Sequence, residues 1–199
     1  MVHKWQIPLG CVIVALLVAG PAIAVWQQQK QLRGLHVVRD GVLYRSGQPK
    51  VGGLKRFVHE RGIRTIINLR DKNISGTPAV DEAKEKFCTK EEIHFYRLPP
   101  LNYDGPDNTH PIDANVEKFL EIMRDPSNYP VLVHCHAGIH RTGALCAIFR
   151  MEFDQWSNEE AIAEMKAGGY VNFDNEEDVR GYMEHYQPAW KKKNSGQIR

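Results

Sequence analysis

Tyr129-Pro130-Val131-Leu132-Val133-His134-Cys135-His136-Ala137-Gly138-Ile139-His140-Arg141-Thr142-Gly143 reads as a strand that runs straight into a turn and then into a helix. Tyr129 to Val133 is a short apolar run of the kind that forms a strand buried on both faces. Helical spacing takes over from Thr142 to about Phe153. Strand, tight loop and helix in that order form the repeating unit of a layered α/β structure.

The flanking sequence repeats the alternation. His36-Val37-Val38 and Val42-Leu43-Tyr44 surround Asp40-Gly41, a hairpin turn signal. Leu54 to Arg61 is helical and stops at Gly62. Thr65 to Leu69 is a strand, Asp71 to Pro78 a loop, and Val80 to about Glu92 a charged amphipathic helix. Ile93 to Leu98 alternates with period two, as a half-buried strand does. A proline-containing loop runs from Pro99 to His110. Apolar residues at Val116, Phe119, Leu120 and Met123 mark a helical face within Ile112 to Arg124. Ser157-Asn158-Glu159-Glu160 has the form of a capping box, opening a helix that ends at Gly168-Gly169. A last helix runs from about Glu176 to Tyr186. The expectation is a central, mostly parallel sheet flanked by helices, with ligands gathering at the carboxyl ends of the strands.

His134 to Gly143 lies at such an end. Successive N–H groups in this kind of turn point inward and make an anion-binding nest, to which the following helix adds its positive pole. Gly138 permits backbone angles that a side chain would obstruct. Arg141 can grip two phosphate oxygens with its planar fork. The N–H dipoles and the guanidinium both favour the thiolate of Cys135, which makes it a candidate nucleophile toward phosphorus. Thr142 is placed to donate a hydrogen bond to the sulfur. His136, Ala137, Gly138, Ile139, His140, Arg141 and Thr142 are the candidate phosphate-binding residues, with the two histidines at the rim. A buried structural cysteine is the plainer alternative, but cysteine, five residues, arginine, hydroxyl and glycine between strand and helix is a much narrower pattern.

A departing oxygen needs a proton, so a carboxylic acid should stand over the loop. Asp104, followed by Gly105, is the first candidate, Asp107 the second and Asp113 the third; turn formation and a helix-start charge are their plainer roles. His134, His136 and His140 crowd the cysteine; the spacing of His136 and His140 could suit a metal, but the consecutive His134 and Cys135 tend to point apart, and the expectation is no metal or other cofactor.

The chain has 199 residues, 42% hydrophobic and 25% charged, which suits one ordinary domain. A net charge of +2 gives no case for a nucleic-acid partner. Cys11, Cys88, Cys135 and Cys146 include no CxxC pair and imply no disulfide framework. Ile7 to Trp26 contains no charged residue and as a helix would span about 30 Å, enough to cross a bilayer core. Trp5 and Trp26 stand at its ends. A single-span anchor is the first reading; a signal segment cleaved after Ala22-Ile23-Ala24, giving a secreted or periplasmic chain, is the second. The expected organisation is 1–30 as the membrane or signal segment, 31–190 as the domain and 191–199 as a basic, solvated tail containing Lys191, Lys192 and Lys193.

The loop resembles the HCxxGxxRTG signature of the cysteine-based protein-tyrosine phosphatase superfamily, through His134, Cys135, Gly138, Arg141, Thr142 and Gly143. Tyr44-Arg45-Ser46-Gly47-Gln48-Pro49, Ile66-Ile67-Asn68-Leu69-Arg70 and Trp156 to Ala161 are similar to stretches of its compact dual-specificity branch, among the atypical, plant-and-fungi-like and bacterial members. The resemblance covers about Val37 to Tyr186. It implies Cys135 as nucleophile, Arg141 as phosphate clamp, Thr142 as the hydroxyl that aids breakdown of a phosphocysteine, and Asp104 as general acid. It implies a phosphatase acting on phosphotyrosine, and phosphoserine or phosphothreonine, in proteins, without a metal. Members that act on inositol phosphates or phosphoinositides carry lysines in the loop, where this chain has His136, Ala137, Ile139 and His140. Phosphorylated lipid or inositol therefore stands second as substrate, and a phosphate-binding module without turnover stands third.

Overall fold

The computed structural model describes residues 17, 19, 32–71 and 78–191. Five strands form one sheet in the order β1-β2-β5-β3-β4: β1 is His36–Arg39, β2 Leu43–Ser46, β3 Thr65–Asn68, β4 His94–Arg97 and β5 Val131–His134. Only β1 runs antiparallel; β2, β5, β3 and β4 are parallel neighbours. The hairpin joining β1 to β2 turns at Gly41, whose φ of 70° lies in the left-handed region glycine tolerates. Tyr44 closes it by donating to Asp40 at 2.6 Å.

The pleat sends alternate residues of β5 to opposite faces. Val131 and Val133 join a core with Leu43, Ile67, Phe119 and Phe149, whereas Leu132 joins Tyr44, Leu54, Phe57, Ile66 and Phe87. Two helices, α1 (Val51–Arg61) and α2 (Pro78–Lys90), supply the second cluster. The first cluster is filled by α3 (Asp113–Arg124), α4 (His140–Phe153), α5 (Asn158–Ala167) and α6 (Glu177–His185). Three layers result, with β5 covered on both sides as its unbroken apolar run requires.

Most expected elements appear, with shifted ends. α1 starts at Val51 rather than Leu54, taking in Gly52 and Gly53; burial of Leu54, Phe57 and Val58 outweighs the poor helix propensity of the glycines. It ends at Gly62, whose φ is 63° and whose N–H returns to the Val58 carbonyl. α4 begins at His140, two residues before Thr142. The tail does not start free: Lys191 ends a short helical turn and its Nζ reaches Asn158 Oδ1 at 3.3 Å.

The apolar stretch 7–26 lies outside the described residues apart from Leu17 and Ala19, as do Cys11 and residues 72–77 and 192–199. Among the described residues, no helix is long and apolar enough to cross a membrane.

The capping box at α5 is complete. Ser157 Oγ accepts from the Glu160 N–H at 3.2 Å, and Glu160 accepts from the Ser157 N–H at 2.8 Å. Ser157→Ala should lower the free energy of unfolding by about 1 kcal/mol, while Ser157→Asp should keep most of it. Urea unfolding reads this as a lower midpoint at unchanged slope.

Candidate active site

Parallel pairing sets the strand ends level. Ser46 and Asn68 both stand opposite His134, and Arg97 stands opposite Asn68. The segments that follow β2, β3, β4 and β5 therefore leave the sheet along one edge, where Cys135 sits, only 3% exposed.

Three carbonyls of the loop are claimed by neighbours. His134 O accepts from the Leu69 N–H at 2.8 Å and His136 O from the Gln48 N–H at 2.9 Å. Gly138 O accepts from the Arg45 guanidinium at 2.6 Å. In a trans peptide the C=O and the next N–H point opposite ways. Drawing the His136 and Gly138 carbonyls to the β2 side turns the N–H groups of Ala137 and Ile139 away from β2, whereas the His134 carbonyl, drawn to β3, turns the Cys135 N–H the opposite way. The Gly138 N–H points at Cys135 Sγ, 3.1 Å away. The first-turn N–H groups of α4, which have no intrahelical acceptors, line the bowl of the loop around that sulfur.

The loop also lies directly on the end of β2. A Cβ on Gly138 would fall 2.5 Å from the Ser46 carbonyl carbon, and one on Gly47 would fall 2.9 Å from Ala137 O. Gly138 has a φ of 79° as well. The Gly47 N–H donates to Arg33 O at 2.7 Å, and Gly34 passes beside Ala137, so the segment before β1 braces the same contact.

Arg141 is half-buried at the bowl, with Nη1 donating to Leu69 O. Leu69 thus serves the site twice, through its N–H to the loop and its carbonyl to the arginine. Thr142 is fully buried, and its hydroxyl has no hydrogen-bond partner among the described residues. Such a group needs an acceptor, and the neighbouring bowl is where one can come from. The other described thiols are different. Burial pushes Cys88 up to about 11 and Cys146 up to about 12, which leaves both protonated and inert at neutral pH.

The rim histidines part company. His136 is exposed; His140 is exposed too, but its ring packs on Tyr170 with centroids 4.4 Å apart. Ile139 turns toward Gly169 rather than into the bowl. Among the described residues, no group of histidines, cysteines and carboxylates is arranged to hold a metal ion.

The three candidate acids are well separated in role. Asp104 is 66% exposed, with Oδ1 3.7 Å from His110 Nδ1; it does not line the cleft next to Arg141. That cleft is apolar and is lined by Leu69, Leu98, Tyr103, Val116, Arg141 and Ile148, among others. Asp107 occupies a turn with φ 57°. Asp113 accepts from Tyr182 at 2.6 Å and is committed to packing. Tyr103, the residue before Asp104, enters the cleft instead. Burial first, and then the Asp178 carboxylate, raise its phenol above the ordinary tyrosine value, while Arg141 pulls it back.

Arg45, Gly47, Gln48, Leu69 and Tyr103 thus belong to the site although none of them is a candidate in the chemistry read from the residues. The signal for four of them was present as motif resemblance around Tyr44 to Pro49 and Ile66 to Arg70; nothing marked Tyr103.

A family model described as a DSP-PTPase phosphatase fused to NAD+ kinase matches residues 21–181. The dual specificity protein phosphatase TpbA of Pseudomonas aeruginosa is 37% identical over 177 residues, 88% of this chain and 73% of that protein. Its crystal structure superposes with a TM-score of 0.61 at 19% identity, covering 82% of this chain and 91% of that one. Two relatives come from Saccharomyces cerevisiae. The tyrosine-protein phosphatase-like protein OCA2 is 31% identical over 121 residues, 61% of this chain and 57% of that protein. The inositol diphosphatase SIW14 is 30% identical over 122 residues, 61% of this chain and 40% of that protein. The structure of the SIW14 catalytic core matches with a TM-score of 0.61 at 24% identity, over 83% of this chain and 93% of that one. The chain spans about half the length of these yeast relatives or less. A family match over 21–181, together with a relative 37% identical across most of its length, makes the chain a member of the DSP-PTPase family within the cysteine-based protein-tyrosine phosphatase superfamily.

Proposed function

We propose that the chain hydrolyses phosphomonoesters through a phosphocysteine, with phosphotyrosine, and phosphoserine or phosphothreonine, in proteins as substrates. The observation that carries this reading is a buried thiol that accepts from the Gly138 N–H, in a loop whose carbonyls at 136 and 138 are held from the β2 side and whose Arg141 is held at Leu69.

Cys135 sulfur attacks phosphorus opposite the departing oxygen, so that the P–S bond forms as the P–O bond breaks. The N–H groups of the loop and the fork of Arg141 hold the other phosphoryl oxygens, where charge gathers in the transition state. Asp104 gives its proton to the leaving oxygen. The same carboxylate then takes a proton from water, which attacks phosphorus and expels the thiolate; the Thr142 hydroxyl donates to that sulfur as it leaves. For this the 99–110 loop must swing the Asp104 carboxylate away from His110 and over the bowl.

A phosphorylated inositol or lipid is the second reading, favoured by the 30% identity to SIW14, which is named an inositol diphosphatase. Against it, His136, Ala137, Ile139 and His140 offer no permanent positive charge to additional phosphates. In this proposal the apolar stretch 7–26 holds the enzyme at a membrane, with a secreted or periplasmic form, cleaved after Ala24, as the alternative. N-terminal sequencing of membrane-fraction protein separates the two.

Cys135→Ser should reduce kcat toward an aryl phosphate by at least about a thousandfold. Turnover close to wild type in that variant would rule out the covalent route. Equal rates on a phosphopeptide panel and on inositol phosphates would sink the substrate assignment.

Asp104→Asn should cost roughly a hundredfold or more with a poor leaving group such as phenolate, and much less with p-nitrophenolate, which leaves unprotonated. Asp107→Asn should behave as wild type. The reverse pattern would transfer the acid role to Asp107.

A further inference from the structure

Arg45 is a buried cation that the catalytic cycle above does not use. It lies in the middle of β2, opposite Val133 of β5, and is 6% exposed. Among the described residues no carboxylate pairs with it. Among the described residues its guanidinium makes one hydrogen bond, from Nη2 to Gly138 O at 2.6 Å, and its Nε has no partner there. A Cβ on Gly143 would lie 3.6 Å from Nη2, and one on Gly168 would lie 3.2 Å from Nη1, so glycines make the space in which the guanidinium sits.

A buried guanidinium without a counter-charge is unfavourable unless a nearby anion compensates it. Arg45 and Cys135 share a neighbourhood: both act on the buried Cys146 thiol, the arginine lowering its pKa and Cys135 raising it. The Glu164 carboxylate also acts on the Cys146 thiol but is engaged by Arg150 at 2.8 Å, which leaves whatever anion the bowl binds to face Arg45. The position of the hydrogen bond matters as much as the charge. Gly138 O and the Ile139 N–H belong to one trans peptide, so the donor that takes the carbonyl fixes the N–H on the opposite side.

We propose that Arg45 is a positioning residue for the phosphate site: it locks the Gly138–Ile139 peptide with its N–H aimed into the bowl and places a second positive charge behind the bound anion. This rests on the reading of the loop as a phosphate site. Both guanidinium groups are held by backbone carbonyls, Arg141 at Leu69 and Arg45 at Gly138, but only Arg45 holds a peptide of the loop itself. Lysine would keep the charge in part but not the planar fork that holds the carbonyl.

The test uses the full chain as wild type, Arg45→Lys and Arg45→Met. Three quantities are measured: KM and kcat for an aryl phosphate, the inhibition constant of orthovanadate, and the melting temperature. Loss of a charge-assisted hydrogen bond predicts KM and the vanadate constant rising about tenfold to a hundredfold in Arg45→Met, with a smaller fall in kcat. Arg45→Lys should recover part of that loss. A role in folding alone would lower the melting temperature and the active fraction while leaving KM and the vanadate constant at wild-type values, and that result overturns the inference. Should Arg45→Met not fold, Arg45→Lys decides: a rise of several-fold supports the role and an unchanged vanadate constant refutes it. A wild-type chain that binds no vanadate overturns the phosphate-site reading and this inference together; a wild type that binds it, beside variants that bind equally well, overturns this inference alone.

Discussion

The loop after β5 depends on one close approach, backbone against backbone, between Gly138 and the Ser46–Gly47 end of β2. Neither glycine has room for a side chain on that side. With both atoms of bulk absent, the loop comes near enough for the Gln48 N–H and the Arg45 guanidinium to take its carbonyls. The direction of the Ala137 and Ile139 N–H groups, away from β2, follows from that lateral pinning, because peptide planarity ties each donor to the carbonyl behind it. A side chain at either position would lift the loop off β2 and free the peptides to rotate. An anion nest is therefore built here from contacts that lie outside it.

Sheet order makes the approach possible. β5 runs between β2 and β3 in parallel, with Ser46, His134 and Asn68 in register. The loop thus has a strand end on each side: Gln48 and Arg45 from β2, Leu69 from β3. Burial on both faces holds β5 in place, since Val131, Leu132, Val133 and His134 are all essentially inaccessible to solvent. A two-sided core costs the strand any surface residue but gives the loop a fixed origin, and displacement of an aimed dipole by even a fraction of an ångström matters for transition-state binding.

Much of this was legible in the residues. The apolar run before Cys135, the hairpin at Asp40-Gly41, the Gly62 stop and the Ser157–Glu160 box each encode their structure locally, so each could be read without knowing what lies across the sheet. The burial of Arg45 could not. As one residue of a short strand it looks like an ordinary polar position, and its partner is Gly138, ninety-three residues away. That pairing exists only because β2 neighbours β5, an order that crossovers decide and local pattern does not. The glycines at 52 and 53 misplaced the start of α1 for a similar reason, since tertiary packing overrode propensity. For Asp104 the sequence located the loop, but side-chain direction depends on His110 and on Tyr103 having taken the cleft.

The two halves of the site differ in how firmly they are held, and the proposed chemistry asks for that difference. The anion-binding half rests on residues almost wholly removed from water: Arg45, Ser46, Asn68, His134 and Thr142. Dipoles that must be aimed before the transition state forms gain from such rigidity, because no reorganisation is left to be done at the moment of reaction. The acid-bearing half is the opposite. From Asp104 to His110 the chain is largely exposed, and Asp107 and Asn108 both take left-handed backbone angles. An exposed carboxylate near an exposed histidine is a weak attachment in water. The bonds of the loop run within it, from Gly105 N–H to Thr109 O at 2.9 Å and from His110 Nδ1 to Tyr103 O at 2.7 Å, so it can move toward the bowl as a unit about Tyr103. A proton donor that serves first a leaving oxygen and then an entering water has to admit substrate and release product between the two steps. Rigid support beneath the phosphate and a loosely tethered acid above it reconcile fixed charge stabilisation with turnover.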